Sequence, residues 1–216
     1  MDDDIFSFWS VMKAGDRVHP DDRAVLERLP EHGFDLNLLP TPFNGPLLTA
    51  KVVLLYPAPG RSVGDEKEAA SDQGQKQALK QHGGNEPLFE PDQQAEGHKW
   101  LASRLKFLGV SWPQLRTRVA VLEMAPYHSK NFSSKTPVIA LPSARVAVGW
   151  AQRVLFPQAI RGERVVVCMR SHHHWGLARG SYSGDALFAP ETTRHGHLLT
   201  GAHDPILEAI HSALGN

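Results

Sequence analysis

Four apolar residues in a row, Val52-Val53-Leu54-Leu55, run straight into Tyr56-Pro57-Ala58-Pro59-Gly60-Arg61. This stretch restricts the fold more than any other. A short run without polar alternation, closed by Pro and Gly, suits a strand buried on both faces in the middle of an α/β sheet. The loop at the carboxyl end of such a strand is where open α/β sheets hold their ligands. Two prolines stiffen the loop, and Gly60 permits positive φ or close backbone approach. Taken alone, the stretch fits a rigid strand-to-helix turn without a ligand equally well.

Two more stretches repeat the pattern. Arg118 to Met124 is apolar except for its first residue and Glu123, and ends in Ala125-Pro126-Tyr127-His128-Ser129-Lys130-Asn131. Val165 to Met169 runs into Arg170-Ser171-His172-His173-His174-Trp175-Gly176. Residues 185–189 are a candidate fourth strand, and 195–200 are ambiguous. Helical spacing appears at Trp100, Leu101, Leu105 and Leu108, within a helix expected over 93–108. A second helix is expected over 137–155, with Pro142 perturbing its first half. A last helix opens with Asp204 as N-cap and Pro205 in the first turn. Residues 65–81 read as either an exposed helix or a mobile excursion. The alternation predicts an α/β fold with three αβα layers around a mainly parallel, about four-stranded central sheet. In such a sheet the three polar loops lie on one side of the domain.

Before the first strand, residues 1–18 suggest a short amphipathic segment. Pro20-Asp21-Asp22 opens a helix to about Leu29. Residues 36–46 read as a lead-in loop. The length of 216 residues suits a single domain over 1–216, with residues 1–35 as an N-terminal helical extension. Cys168 is the only cysteine, which rules out an internal disulfide and a cysteine zinc site. The start MDDDIFSFWS lacks the basic flank and apolar core of a secretory signal. No apolar run approaches the roughly 20 residues that span a bilayer. A cytoplasmic protein without membrane association is expected.

The net charge of zero hides a division along the chain. Residues 1–97 carry 9 basic and 17 acidic residues, and residues 98–180 carry 13 basic residues against only Glu123 and Glu163. A basic block of this kind either forms a phosphate-attracting face or scatters over separate solvated faces.

This arrangement resembles the uracil-DNA glycosylase superfamily over roughly residues 35–215. VLLYPAPG is similar to that family's first motif, a strand followed by a Pro/Gly loop. VVVCMRSHHHWGL is similar to its late motif, a strand followed by a His-containing loop that enters the DNA minor groove. RVAVLEM lies between them, with Glu123 or a neighbour in the slot of the residue that reads the base. The resemblance implies an αβα fold, nucleic acid (DNA) as partner and a base-excision hydrolase with altered chemistry. The alteration follows from the first loop. Pro57 and Ala58 stand where the family carries the group that orients water and offsets positive charge on the sugar. The family's base-reading Asn is also missing. Weak or no excision of uracil is therefore expected. The alternative is an enzyme or binding protein that takes a nucleoside, a nucleotide or another small molecule in the same pocket, without a cofactor.

The candidate catalytic residues are Glu123 and His172. A carboxylate in an apolar strand is costly unless paired, so Glu123 is either salt-bridged structure or a site group with a raised pKa. His172 can steady charge on a departing base. Candidate substrate contacts are Tyr56, Pro57, Ala58, Pro59, Gly60 and Arg61 from the first loop. The second loop offers Tyr127, His128 and Ser129, and the third offers Arg170, Ser171, His174 and Trp175. Arg61 and Arg170 suit phosphate contacts, and Trp175 suits either base stacking or packing against the sheet. Adjacent histidines in an extended loop diverge, so the triplet does not form a metal site by itself. One of the three with His128 and Glu123 is the remaining metal alternative, and no metal is expected.

Overall fold

The computed structural model describes residues 4–29, 31–89, 95–130, 132, 138–193 and 204–215. The elements in chain order begin with helices α1 (Ile5–Trp9) and α2 (Pro20–Arg28), then strands β1 (Phe43–Asn44) and β2 (Val52–Tyr56). Helices α3 (Val63–Ala70), α4 (Asp72–Gln81), α5 (Ala95–Leu105) and α6 (Trp112–Arg118) lead to β3 (Val119–Glu123). Helices α7 (Pro142–Trp150) and α8 (Phe156–Ile160) precede β4 (Val165–Cys168), and a single turn, α9 (His172–Trp175), follows it. Strands β5 (Ser181–Ser183) and β6 (Leu187–Ala189) and helix α10 (Asp204–Leu214) complete the described chain.

The fold is mixed α/β around one six-stranded sheet of order β1-β3-β2-β4-β6-β5. The expected α/β class holds, but the sheet is larger than four strands and is mixed. Neighbouring pairs β3/β2, β2/β4 and β4/β6 run parallel, and the edge strands β1 and β5 are antiparallel to their neighbours. With two and three residues, the edge strands are too short to show a periodicity in sequence.

All residues of β2, β3 and β4 are buried, because the sheet has a separate core on each face. Val53, Leu55, Ala120, Leu122, Val166 and Cys168 point into a core shared with α1, α2, α7 and α8. Val52, Leu54, Tyr56, Val119, Val121, Val165 and Val167 point into the other, shared with α5, α6 and α10. Burial on both faces explains the continuous apolar runs. Ile5, Trp9 and Leu26 belong to the first core, so the N-terminal helices pack as part of the sheet's own covering.

Two helical stretches differ from their sequence reading. Residues 65–81 form two helices, because Ser71 turns extended and caps α4 through Gly74 N. Pro142 occupies the first turn of α7, where its missing N–H costs nothing, so it begins the helix instead of perturbing it. From there the chain stays helical into α8 through a wider π turn at Ala151–Leu155, just before Pro157. A proline inside a helix removes one ladder bond and crowds the carbonyl a turn earlier, and a π turn absorbs both effects.

Candidate functional site

The carboxyl ends of β2 and β3 open on a cavity of about 210 Å³. Its walls come from residues 39–44, the loop Ala58–Ser62, helices α3 and α4, Trp100 and Leu101 of α5, and Val121, Glu123 and His128. Most of this surface is apolar. Ten polar side chains also line it, and Glu123 and His128 among them have distinct environments.

Glu123 ends β3 in register with Tyr56 of β2. It is 6 % exposed, and its Oε2 has no hydrogen-bond partner among the described residues. Burial pushes its carboxyl up to about 8, with the Arg170 charge opposing the rise. The group is therefore protonated at neutral pH, and costs less there than an ion would. Tyr56, its neighbour in register, has a buried hydroxyl with no partner among the described residues. Burial, then the Glu123 charge, holds that hydroxyl above the ordinary tyrosine range, against Arg104 and Arg170. The Tyr56 ring meets Trp100 edge-on at 5.1 Å, and Trp100, 39 % exposed, forms one wall of the cavity.

His128 is set into the wall by the loop after β3. Its Nδ1 lies 2.5 Å from the Gly60 carbonyl oxygen and 3.5 Å from Asp65 Oδ2, and its Nε2 lies 3.2 Å from Thr41 Oγ1. Burial disfavours its charged form, but Asp65 and the Gly60 carbonyl outweigh that and raise its pKa above 6.5. Burial works against the Asp65 carboxylate too, and His128 and Ser62 together hold it below its ordinary value. Asp65 is fixed by a reciprocal cap in which Ser62 N donates to its Oδ2 at 2.6 Å and Asp65 N donates to Ser62 Oγ.

Of the residues singled out from sequence, Ala58, Pro59, Gly60, Arg61, Glu123 and His128 line this cavity. Pro57, Tyr56, Tyr127, Ser129 and Arg170–Trp175 are not among its lining residues. The Arg61 guanidinium is held by Asp35 and Glu66, each at 2.9 Å. Tyr127 donates its hydroxyl to Asp22 Oδ2 at 2.6 Å and accepts from His19 N, and Ser129 donates to the Gly33 carbonyl, so both tie the scaffold together.

The third loop folds away as α9. Ser171 holds φ 58°, the left-handed region, and starts the turn. Trp175 is fully buried in the first core. His172 is 8 % exposed, and burial lowers its pKa, as it does for His174. Among the described residues no cluster of His, Cys, Asp or Glu is placed to hold a metal ion.

Sequence reading missed Thr41, Asn44, Asp65 and Trp100 as cavity residues. Asn44 sits on edge strand β1 beside Val121, with its Oδ1 buried and without a partner among the described residues. Only Asp65 carried a local signal, the Ser62-x-x-Asp65 spacing that marks a helix start beside the first loop.

None of the described Lys or Arg residues of the basic block lines the cavity, although the Arg104 guanidinium lies over the Trp100 ring at 5.4 Å. Arg116 donates to the Leu88 carbonyl, Arg118 to Leu214, Arg145 to Ile139 and Ala140, and Arg164 to Leu47 and Leu48. Arg161 pairs with Glu163. Among the described residues no helix is long and apolar enough to cross a membrane. Comparison with protein-family models, curated proteins and solved structures found no match to the chain.

Proposed function

We propose that the protein binds a nucleobase in the strand-end cavity and that Glu123 reads the edge of the base. The observation that carries this is that Glu123 and Asn44, whose Oε2 and Oδ1 are buried and have no partner among the described residues, both line one largely apolar cavity beside the Trp100 ring. A protonated carboxyl offers one donor and one acceptor side by side, matching the amide or amidine edge of a heterocycle. At about 210 Å³ the cavity is smaller than the roughly 300–1,000 Å³ of pockets for drug-sized ligands. That volume suits a single ring system. The parallel inner strands, the helices on both faces and the loop after β2 support a glycosylase-like framework.

Two forms of the reading differ in what presents the base. A free nucleoside is favoured, because Arg116, Arg118, Arg145 and Arg164 of the basic block are engaged by main-chain carbonyls and Trp175 is buried. The second form is an extruded base of single-stranded or duplex DNA. In that form uracil excision is weak or absent, since Pro57 and Ala58 supply no group to orient water. Thermal-shift measurements with nucleosides, free bases and oligonucleotides at low salt separate the two. Stabilisation by nucleosides that Glu123→Leu abolishes is the expected result. Stabilisation by oligonucleotides alone, falling steeply with salt, selects the DNA form. No stabilisation by any of them refutes both.

A further inference from the structure

The cavity wall holds three buried titratable side chains: base recognition uses Glu123, burial lowers the His82 pKa to about 4 with its ring against the Pro40 carbonyl, and His128 is left without a task. Its environment is specific. A carbonyl oxygen can only accept a hydrogen bond, so the 2.5 Å contact with Gly60 places the proton on Nδ1. The neutral ring then carries its lone pair on Nε2, and the Thr41 hydroxyl donates to it across 3.2 Å. Asp65 stands 3.5 Å from Nδ1, where its charge favours the imidazolium that forms when Nε2 takes a proton. Thr41, His128 and Asp65 all line the cavity that Glu123 lines. A carboxylate, an imidazole of fixed tautomer and a hydroxyl in that order are the parts of a general-base relay.

We propose that Thr41, His128 and Asp65 form this relay and that, with Glu123 as the acid, it hydrolyses the N-glycosidic bond of the bound nucleoside. The inference rests on the nucleoside reading above. Water oxygen bonds to the anomeric carbon as its proton passes to the Thr41 hydroxyl, which gives its own proton to His128 Nε2. The carbon–nitrogen bond breaks with its electron pair on the base, and the Glu123 proton goes to the acceptor atom of the base edge that Glu123 holds. Glu123 ends as carboxylate and His128 as imidazolium, and solvent carries a proton from one to the other. Thr41, His128 and Glu123 carry the protons and Asp65 is a positioning residue. The relay supplies the water-activating group that Pro57 and Ala58 lack.

The pH dependence follows from what faces each group. His128 faces Asp65, Glu68, the Gly60 carbonyl and Thr41, and Glu123 faces Tyr56 and Arg170. Turnover needs His128 neutral and Glu123 protonated. It therefore rises through the His128 pKa above 6.5 and falls through about 8.

The test incubates the protein with the common ribo- and deoxyribonucleosides, follows free base by chromatography and records thermal shifts in parallel. The expected result is a nucleoside that both stabilises the protein and releases its base, with a bell-shaped pH profile. Asp65→Asn and Thr41→Val should still be stabilised by that nucleoside while kcat falls about 10²-fold or more. In Asp65→Asn the acid limb should also move to lower pH. Because Asp65 caps α3, Thr41→Val is the variant that guards against a folding defect. Nitrogen NMR of His128 adds a substrate-free readout, and a proton on Nε2 instead of Nδ1 in the neutral ring would overturn the relay. Stabilisation without base release, or release that both variants retain, overturns the relay and leaves the nucleoside reading standing. No stabilisation by any nucleoside removes both.

Discussion

Replacing Glu123 by Gln should make the protein more stable at pH 8 and change little at pH 4.5. Burial holds the Glu123 carboxyl at about 8 in the fold, against an ordinary value of 4.5. Between these values the folded state keeps a proton that the unfolded state has lost, so stability falls as pH rises. The slope is about 1.4 kcal/mol per pH unit for one proton. Over the whole interval the loss approaches about 5 kcal/mol, complete once pH exceeds the folded value. Glutamine keeps the shape and the hydrogen-bonding edge but cannot ionise, so it escapes the loss. For a chain of this length each kcal/mol moves Tm by about 2–4 °C, which places the variant about 10 °C or more above wild type at pH 8. Urea unfolding of both proteins from pH 4.5 to 8.5, followed by tryptophan fluorescence, measures the difference directly. Subtracting the two curves cancels every other titrating group. A difference that does not change with pH would show that Glu123 ionises without penalty, and the argument for a protonated base-reading carboxyl would fall with it.

Three other perturbations probe the groups around the cavity. In the folded protein the His128 pKa is raised, so the pair it makes with Asp65 stabilises below pH 6.5 and that contribution fades as pH rises through the folded value. Asp65→Asn should lower the His128 pKa in an NMR titration, since burial then acts with less opposition, and an unchanged value would exclude the pair. Tyr127→Phe removes the hydroxyl that donates to Asp22 and should cost about 1.5–3 kcal/mol in denaturant unfolding, the range for a hydrogen bond to a charged group; no cost would mean that Asp22 finds another donor. Ser171→Gly relieves a left-handed residue and should be neutral or stabilising by up to about 1 kcal/mol, whereas Ser171→Val should destabilise by more than that; equal stabilities for both variants would refute the strain.

The amino-acid order by itself determined the inner strands. Val52–Leu55, Val119–Leu122 and Val165–Cys168 are apolar without alternation, and a segment of that kind loses too much by exposing either face to settle anywhere but the middle of a covered sheet. It also determined that Glu123 is exceptional, because one carboxyl among such residues must be either paired or perturbed. Desolvation is a property of a segment, so it can be read locally. The cavity is not a property of any segment. Thr41 and His128 are 87 residues apart, His128 and Gly60 are 68 apart, and Tyr127 reaches Asp22 across 105. Tyr127 and His128 are neighbours in one loop, yet one ties down an N-terminal helix and the other faces the cavity. Which of them does which depends on where each side chain finds a partner for its polar atoms. The tertiary structure alone decided that, along with the burial of Trp175 and the attachment of Arg116, Arg118 and Arg164 to distant carbonyls. A buried polar atom must be satisfied by whatever the fold brings beside it, and residues far apart in the chain come together only when the layers pack.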